Sequence, residues 1–445
     1  MVKQSDHPLQ LSRLTLENVR CFGDVDLSFE DVTQVARTKT LIIGPNGHGK
    51  TTIMRAIAIG LCPKREANSL VDSLPGPMIR VSKKGKSSNQ GRIVLHLKDP
   101  KKPGQHFSIT TLIYRDESNQ EYLEKETEPS PFPWHRLFVC GYGVNRGTER
   151  YVPIENYALR PSVQSLFSEE PALYDPEAVL RNFKLAETES TDGGKLYRGV
   201  VRHLKSILQL KPSHKIDITS KQIVVHGPWG GMPFHALGDG YRGTSAWLLD
   251  FLGRAHQASV PIRDNGPIGG IVLIDEIDEH LHPDWQRKVL QMLHRRFPHI
   301  QFIGTTHSPM TIVNCRPQEV VSCRLYNAVA KVQQDLGELA GKTADQILRG
   351  EWFGLVETMA DDTEKLLSSY RKAVEDGGTE KEVTHWRHEL RRRVGHMGVT
   401  PLDELALKMA AEFRATYYKE VSPEKRGQLM RQAMDKMKDE MGRNG

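Results

Sequence analysis

Residues 40–61 read TLIIGPNGHGKTTIMRAIAIGL, and residues 44–51 within them, GPNGHGKT, satisfy GxxxxGK[ST]. The motif carries chemistry only between a buried strand and a helix, and both flanks fit. TLIIG is a short apolar run, and TTIMRAIAIGL has apolar residues at helical spacing. Such a loop curls backbone N–H groups around phosphate oxygens, with the helix pointing its positive end inward. The candidate phosphate-binding residues are therefore Gly44, Pro45, Asn46, Gly47, His48, Gly49, Lys50, Thr51 and Thr52. Lys50 has the reach for β- and γ-phosphates, and the Thr51 hydroxyl is suited to Mg²⁺. The alternative is a glycine turn that matches by chance.

A second stretch supplies the other half. IVLIDE (271–276) sets four apolar residues before two carboxylates, at what reads as the C-terminal end of a buried strand. In an open parallel sheet, ligands bind at that edge. Asp275 is the candidate metal ligand, and Glu276 the candidate group that orients or deprotonates a water. IQFIGTTHSP (300–309) ends another apolar strand in His307, a candidate γ-phosphate sensor. His280 and His282 in IDEHLHP (277–283) suggest a zinc pair only weakly, because no further ligand pair accompanies them. LGDGYR (237–242) precedes the helical stretch TSAWLLDFLGRAH, expected to begin near Thr244; a Gly-X-Gly turn there is a weak anion-site signal by itself.

Outward from these motifs, LSRLTLENV (11–19) and DVDLSFED (24–31) alternate as strands, and RIVLHLKD and FSITTLIYRD resemble a hairpin joined by KDPKKPGQ. Residues 150–212 turn helical, with DPEAVLRNF starting on an Asp cap. KIDITS, QIVVHG, GGIVLID and IQFIGTT read as strands among helices, which predicts a parallel, buried sheet. WQRKVLQMLHRRF reads as one helix. Beyond about residue 340 the chain is polar and helix-prone.

The chain has 445 residues, 61 basic against 55 acidic, for a formal charge of +6. An apolar fraction of 38% and charged fraction of 26% exclude bulk disorder and collagen. No apolar run reaches the roughly 18 residues of a membrane span, and the first ten residues lack a signal-peptide core. Five scattered cysteines without a CxxC pattern read as reduced thiols, so the expected location is cytoplasmic.

The order of phosphate loop, glycine turn before a helix, hhhhDE strand and strand ending in His resembles the ABC-type ATPases. Within them, LTLENVRCFGDVDLSF (14–29), DEIDEHLHP (275–283) and TTHSP (305–309) are similar to the SMC, RecF and overcoming-lysogenization-defect group. That resemblance implies an α/β fold: a P-loop ABC-type ATPase head over residues 1–340, with a mixed central sheet and an antiparallel N-terminal β part. It includes an inserted helical region at about 150–212 and a helical C-terminal partner-binding or oligomerisation region, 341–445. It implies ATP and Mg²⁺ as ligands, hydrolysis of ATP to ADP and phosphate at a rate that the signature departure below would slow, and a homodimer or higher homo-oligomer. Gly238, Asp239, Gly240 and Arg242 of one subunit would cap ATP held by Gly47, Gly49, Lys50, Thr51, Asp275, Glu276 and His307 of the other. Glu279 to Pro283 would cross the interface.

Two departures stand out. Gly238 replaces the usual serine, which weakens the contact to γ-phosphate and leaves open an ATP-bound scaffold or DNA-repair ATPase with little turnover. No glutamine stands in GYGVNRG (141–147), where Asn145 or Arg146 would substitute. A transporter subunit is the less favoured alternative. TADQIL (343–348) and the segment 352–374 look similar to ATPases of Septu-type anti-phage systems, which implies a separate nuclease effector of HNH type. Lys83, Lys84, Lys86, Lys101 and Lys102 lie within a basic stretch (80–102) that suits DNA contact without sequence preference, against the alternative of a solvated surface.

Overall fold

The computed structural model describes residues 8–81, 90–146, 150–170, 172–219, 221–260, 269–355, 361–375 and 379–394. The chain divides into two units, Met1–Gly354 and Leu355–Gly445.

The first unit is built on a mixed sheet. Its strands are β1 (Gln10–Val19), β2 (Phe22–Ser28), β3 (Lys39–Ile43), β4 (Gln90–Asp99), β5 (Lys102–Arg115), β6 (Glu121–Glu128) and β7 (Val139–Tyr142). A small separate sheet holds β8 (Lys215–Ile218), β9 (Ile223–Gly227) and β10 (Gly230–Pro233). The large sheet is completed by β11 (Gly270–Ile274), β12 (Ile300–Thr305), β13 (Val320–Tyr326) and β14 (Val329–Gln333), in the order β6-β5-β4-β1-β2-β14-β13-β3-β12-β11-β7. Strands β7, β11, β12, β3 and β13 run parallel to one another, while β13 and β14 pair antiparallel. The half containing β1, β2, β4, β5 and β6 is antiparallel. This is the mixed α/β head with an antiparallel N-terminal part that the motifs imply.

The parallel half is apolar on both faces because both are covered. Leu41 and Ile43 of β3 join one core, with Val272 and Ile274 of β11. Ile42, Ile271 and Leu273 point into the other. The helix Lys50–Leu61 covers the second core and the helix Asp239–Gln257 the first. Lys125 ends the Lys50–Leu61 helix: its ammonium donates to the carbonyls of Ile59 and Gly60 (2.9 and 3.0 Å) and to the Thr111 hydroxyl (2.8 Å). Burial lowers the Lys125 pKa to about 7, and in its charged form the group complements the helix dipole. The edge of β7 that has no neighbouring strand is finished by hydroxyls: Tyr157, Ser162 and Ser165 bond the backbone of Val139 and Gly141.

Several local expectations change. KIDITS and QIVVHG leave the parallel sheet and pair antiparallel in the small one. β6, β13 and β14 carried too little alternation to be read. The hairpin loop is shorter than KDPKKPGQ, since β4 ends at Asp99 and β5 starts at Lys102. WQRKVLQMLHRRF breaks into helices Pro283–Gln286 and Val289–Arg296. The inserted region holds the helices Leu159–Val163, Pro176–Glu189 and Thr191–Ile207, and the Asp175 side chain accepts from the Glu177 amide as expected of a cap. Residues 341–354 join the first unit, with Ile347 and Trp352 in its core. The second unit pairs the helices Asp361–Glu375 and Glu380–Val394 around Tyr370, Val374 and Val383. No described helix is long and apolar enough to cross a membrane.

The insertion is fastened to the head by two buried polar features. Asp250 accepts from the Tyr142 hydroxyl (2.9 Å), the Tyr174 amide (2.8 Å) and Arg254 Nε (2.7 Å), while Arg254 also donates to the Ala172 carbonyl (2.6 Å). His203 is 1% exposed, stacks on Phe297 (4.7 Å between ring centres), and has no partner on either nitrogen. Burial pushes its pKa down to about 4, helped by Arg296 and Arg202. The sign follows directly. Between pH 6.5 and 4 the unfolded chain binds a proton that the folded chain refuses, so stability falls as pH falls through that window and is unaffected above it. His203→Leu should therefore match or exceed wild-type stability at pH 7.5 and gain about 3 kcal/mol on it by pH 4, read by chemical denaturation. Identical pH dependence of the two proteins would contradict this assignment.

Candidate nucleotide site

The parallel strands β3, β11, β12 and β7 bring their carboxyl ends to one edge, and the chain leaves each of them into a residue singled out by sequence. β3 runs into the phosphate loop. Gly44 has φ +142, and a Cβ there would sit 2.3 Å from the Cys323 carbonyl oxygen on β13. Gly49 has φ +98, and a Cβ would meet Phe22 Cζ at 2.4 Å and Cys21 Sγ at 2.7 Å. Both positions exclude every other residue on space and backbone angle together. Lys50 is 6% exposed and lies back over the loop, donating to the carbonyls of Gly44 (2.8 Å) and Pro45 (3.2 Å). Burial holds its ammonium below the ordinary lysine range, with Asp275 opposing.

β11 delivers Asp275, 4% exposed, whose two oxygens are both engaged. Oδ2 accepts from the Thr51 hydroxyl (2.8 Å), and Oδ1 accepts from the Thr305 hydroxyl (2.5 Å). The same Thr305 oxygen accepts the Glu276 amide (2.8 Å). Glu276 stands at φ 48, a left-handed conformation that costs a non-glycine residue about 1–3 kcal/mol and persists only where its surroundings over-determine it. Beyond β12, His307 is half-buried and its Nε2 is buried without a partner. Burial first, then Lys50, lowers its pKa, so the ring is neutral at pH 7.

These groups surround one cavity of 360 Å³, lined by Asn46, Gly47, Gly49, Lys50, Thr51, Thr52, Asp275, Glu276 and His307. Arg20 and Cys21, from the turn between β1 and β2, complete the lining; they lie within the 14–29 stretch that carries the family resemblance, which assigned them no site role. The orphaned His307 nitrogen and the glycine cradle fit an anion, and the adjoining carboxylate and hydroxyl of Asp275 and Thr51 fit a hard divalent cation such as Mg²⁺.

Gly238, Asp239, Gly240 and Arg242 do not line this cavity. Their helix starts at Asp239, five residues earlier than expected, so Gly238 is its N-cap and the other three occupy its first turn. Arg242 faces Asp239 at 3.6 Å. A Cβ on Gly240 would fall 2.6 Å from the His280 carbonyl oxygen, so this glycine lets the helix approach residues 279–283 of the same chain. His280 and His282 side chains are 60% and 75% exposed, and no metal-binding cluster of three or more His, Cys, Asp or Glu exists among the described residues. Arg146 also stays out of the cavity lining: its guanidinium donates to the carbonyls of Gly143 (3.2 Å), Asp275 and Glu276, behind the site.

The basic stretch divides. Lys83, Lys84 and Lys86 lie outside the described residues. Lys101 and Lys102 are exposed at the far end of β4, about 30 Å from its start at about 3.3 Å per residue, so they do not share one patch with Arg80. Arg92 and Lys98 are paired with Glu17 and Glu30.

Gly49→Ala is predicted to lower affinity for a fluorescent ATP analogue at least tenfold and to lower the melting temperature, because the methyl must displace the Phe22 ring. Binding within twofold of wild type would contradict the loop geometry.

Two family models match the chain: "AAA domain" over residues 13–131, and "AAA domain, putative AbiEii toxin, Type IV TA system" over residues 193–314. The Septu protein PtuA of Bacillus mycoides (strain KBAB4) is 26% identical over 358 residues, 79% of this chain and 46% of that protein. The OLD nuclease of Thermus scotoductus (strain ATCC 700910 / SA-01) is 26% identical over 343 residues, 67% of this chain and 59% of that protein. The chain thus spans about half the length of these curated relatives. Among solved structures, an SMC head bound to the C-terminal winged-helix domain of ScpA aligns at a TM-score of 0.49 and 15% identity, over 73% of this chain and 97% of that one. By its motif order and its sequence relatives, the chain is similar to the ABC-type ATPases of the SMC, RecF and overcoming-lysogenization-defect group.

Proposed function

We propose that the chain binds Mg²⁺-ATP at the carboxyl edge of its parallel strands, closes as a head-to-tail homodimer around it, and hydrolyses it to ADP and phosphate. The observation that carries the reading is the convergence of Lys50, Thr51, Asp275, Glu276 and His307 on one cavity, with Asp275 already bonded to Thr51. Lys50 exchanges the loop carbonyls for phosphate oxygens. Thr51 and Asp275 hold Mg²⁺, which when bound neutralises charge on the β- and γ-phosphates. Glu276 accepts a proton from the water that attacks the γ-phosphorus, and neutral His307 donates from Nε2 to a γ-oxygen when its proton is on that nitrogen. Enclosure of ATP by a second copy is supported by the position of Gly238–Arg242: they sit beside residues 279–283, outside their own chain's cavity.

The switch is proposed to act on a partner. Relatives named as a Septu protein and an OLD nuclease support a role in anti-phage defence. The effector in this reading is a separate HNH-type nuclease, with the region from 341 on as its contact or as an oligomerisation surface. Exposed Lys101 and Lys102 are the described residues left to contact DNA, without sequence preference. One observation favours a second reading, an ATP-bound scaffold with little turnover. The N-cap of the capping helix is Gly238, which offers no hydroxyl.

Lys50→Ala should abolish ATP binding. Glu276→Gln should keep binding, slow phosphate release by about 10²-fold or more, and accumulate dimer in ATP by light scattering. A Glu276→Gln protein that releases phosphate at the wild-type rate contradicts the role given to Glu276.

A further inference from the structure

We infer that Arg146 is a positioning residue that holds the Asp275–Glu279 turn in its working shape, in place of a side chain that contacts nucleotide. The inference rests on the function proposed above for Glu276. Arg146 is 5% exposed, yet it spends its donors on backbone. One terminal nitrogen reaches the carbonyls of Gly143 (3.2 Å) and Asp275, and the other reaches the carbonyl of Glu276 and lies 3.8 Å from Glu279 Oε2. The Glu276 carbonyl also takes the Glu279 amide at 3.0 Å, closing the turn. Glu276 is thereby fixed from two sides: its amide by the Thr305 hydroxyl and its carbonyl by Arg146. That double restraint is what a left-handed glutamate requires.

The guanidinium also faces a field of acids. Glu279, Asp275, Asp278 and Glu276 all act on it, so removing its charge takes the cation from partly buried Glu279 and from a turn crowded with carboxylates. The planar fork serves the two successive carbonyls from separate nitrogens, one of which also reaches Gly143 and the other Glu279, a four-way spread that a single ammonium nitrogen does not match. Through Glu279 the same side chain ties the carboxylate turn to residues 279–283, whose His280 carbonyl abuts Gly240. Arg146 therefore joins the hydrolytic carboxylate to the helix offered to the second subunit.

The test uses full-length Arg146→Lys and Arg146→Gln, the first retaining charge should the second fail to fold. Hydrogen exchange read by mass spectrometry should accelerate at least tenfold in peptides covering 275–281, while peptides of the Lys50–Leu61 helix stay within twofold of wild type. Steady-state phosphate release should show kcat lowered about 10²-fold with KM within threefold. Unchanged exchange at 275–281 in a folded variant overturns the inference, and so does a wild-type kcat despite faster exchange. Wild-type protein without phosphate release would overturn the proposed hydrolysis alone; the exchange measurement still decides the role of Arg146.

Discussion

The site depends on one buried carboxylate. Asp275 sits at the end of a strand whose five residues are buried, and an ionised group in that setting is tolerable only where its oxygens are satisfied. Thr51 and Thr305 satisfy them, one from the phosphate loop and one from the neighbouring strand. These two bonds join three segments that are 224 and 30 residues apart in sequence. The register of β3, β12 and β11 makes them reachable, since parallel pairing sets all three carboxyl ends at one level. Removing either hydroxyl leaves an oxygen of Asp275 unpaired, and a buried unpaired acceptor costs about 1–3 kcal/mol, more when charged.

Around that carboxylate the two faces of the sheet divide the labour. The phosphate-loop helix lies over one core, its last carbonyls held by Lys125. The helix that begins with Gly238 lies over the other and is anchored by Asp250 to Tyr142 at the end of β7. The Tyr142 carbonyl accepts the Asp275 amide at 2.8 Å. A continuous chain of contacts therefore runs from the candidate metal ligand, through the end of β7, to the helix that would meet a second subunit. Its members are buried, with Asp275, Tyr142 and Asp250 all under 5% exposed.

Much of this was legible in the sequence for physical reasons. GPNGHGKT, IVLIDE and IQFIGTTHSP each pair an apolar run with polar residues at its end, a pattern set by a strand buried on both faces. The antiparallel half was partly readable because β1, β2, β4 and β5 alternate. Legibility failed where the deciding interaction is distant. β6 is so rich in charge that its strand state depends on pairing with β5. The start of the Asp239–Gln257 helix was placed too late, because a Gly-X-Gly sequence suggests a turn and only packing against His280 explains a glycine inside a helix. Arg146 sat in a segment expected to touch nucleotide, and nothing local shows that its acceptors are carbonyls 129 and 130 residues away. Charge counting along the basic stretch does not register that a ten-residue strand lies between Arg80 and Lys101.

The central claim, that Asp275 and Thr51 hold the metal of a metal–nucleotide complex at this edge, is tested most directly by calorimetric titration of ATP in the presence and absence of Mg²⁺. The account predicts that wild-type protein gains at least tenfold in affinity from Mg²⁺ and that Asp275→Asn loses this gain while retaining metal-free binding. An Asp275→Asn protein with the same Mg²⁺ dependence as wild type would contradict it.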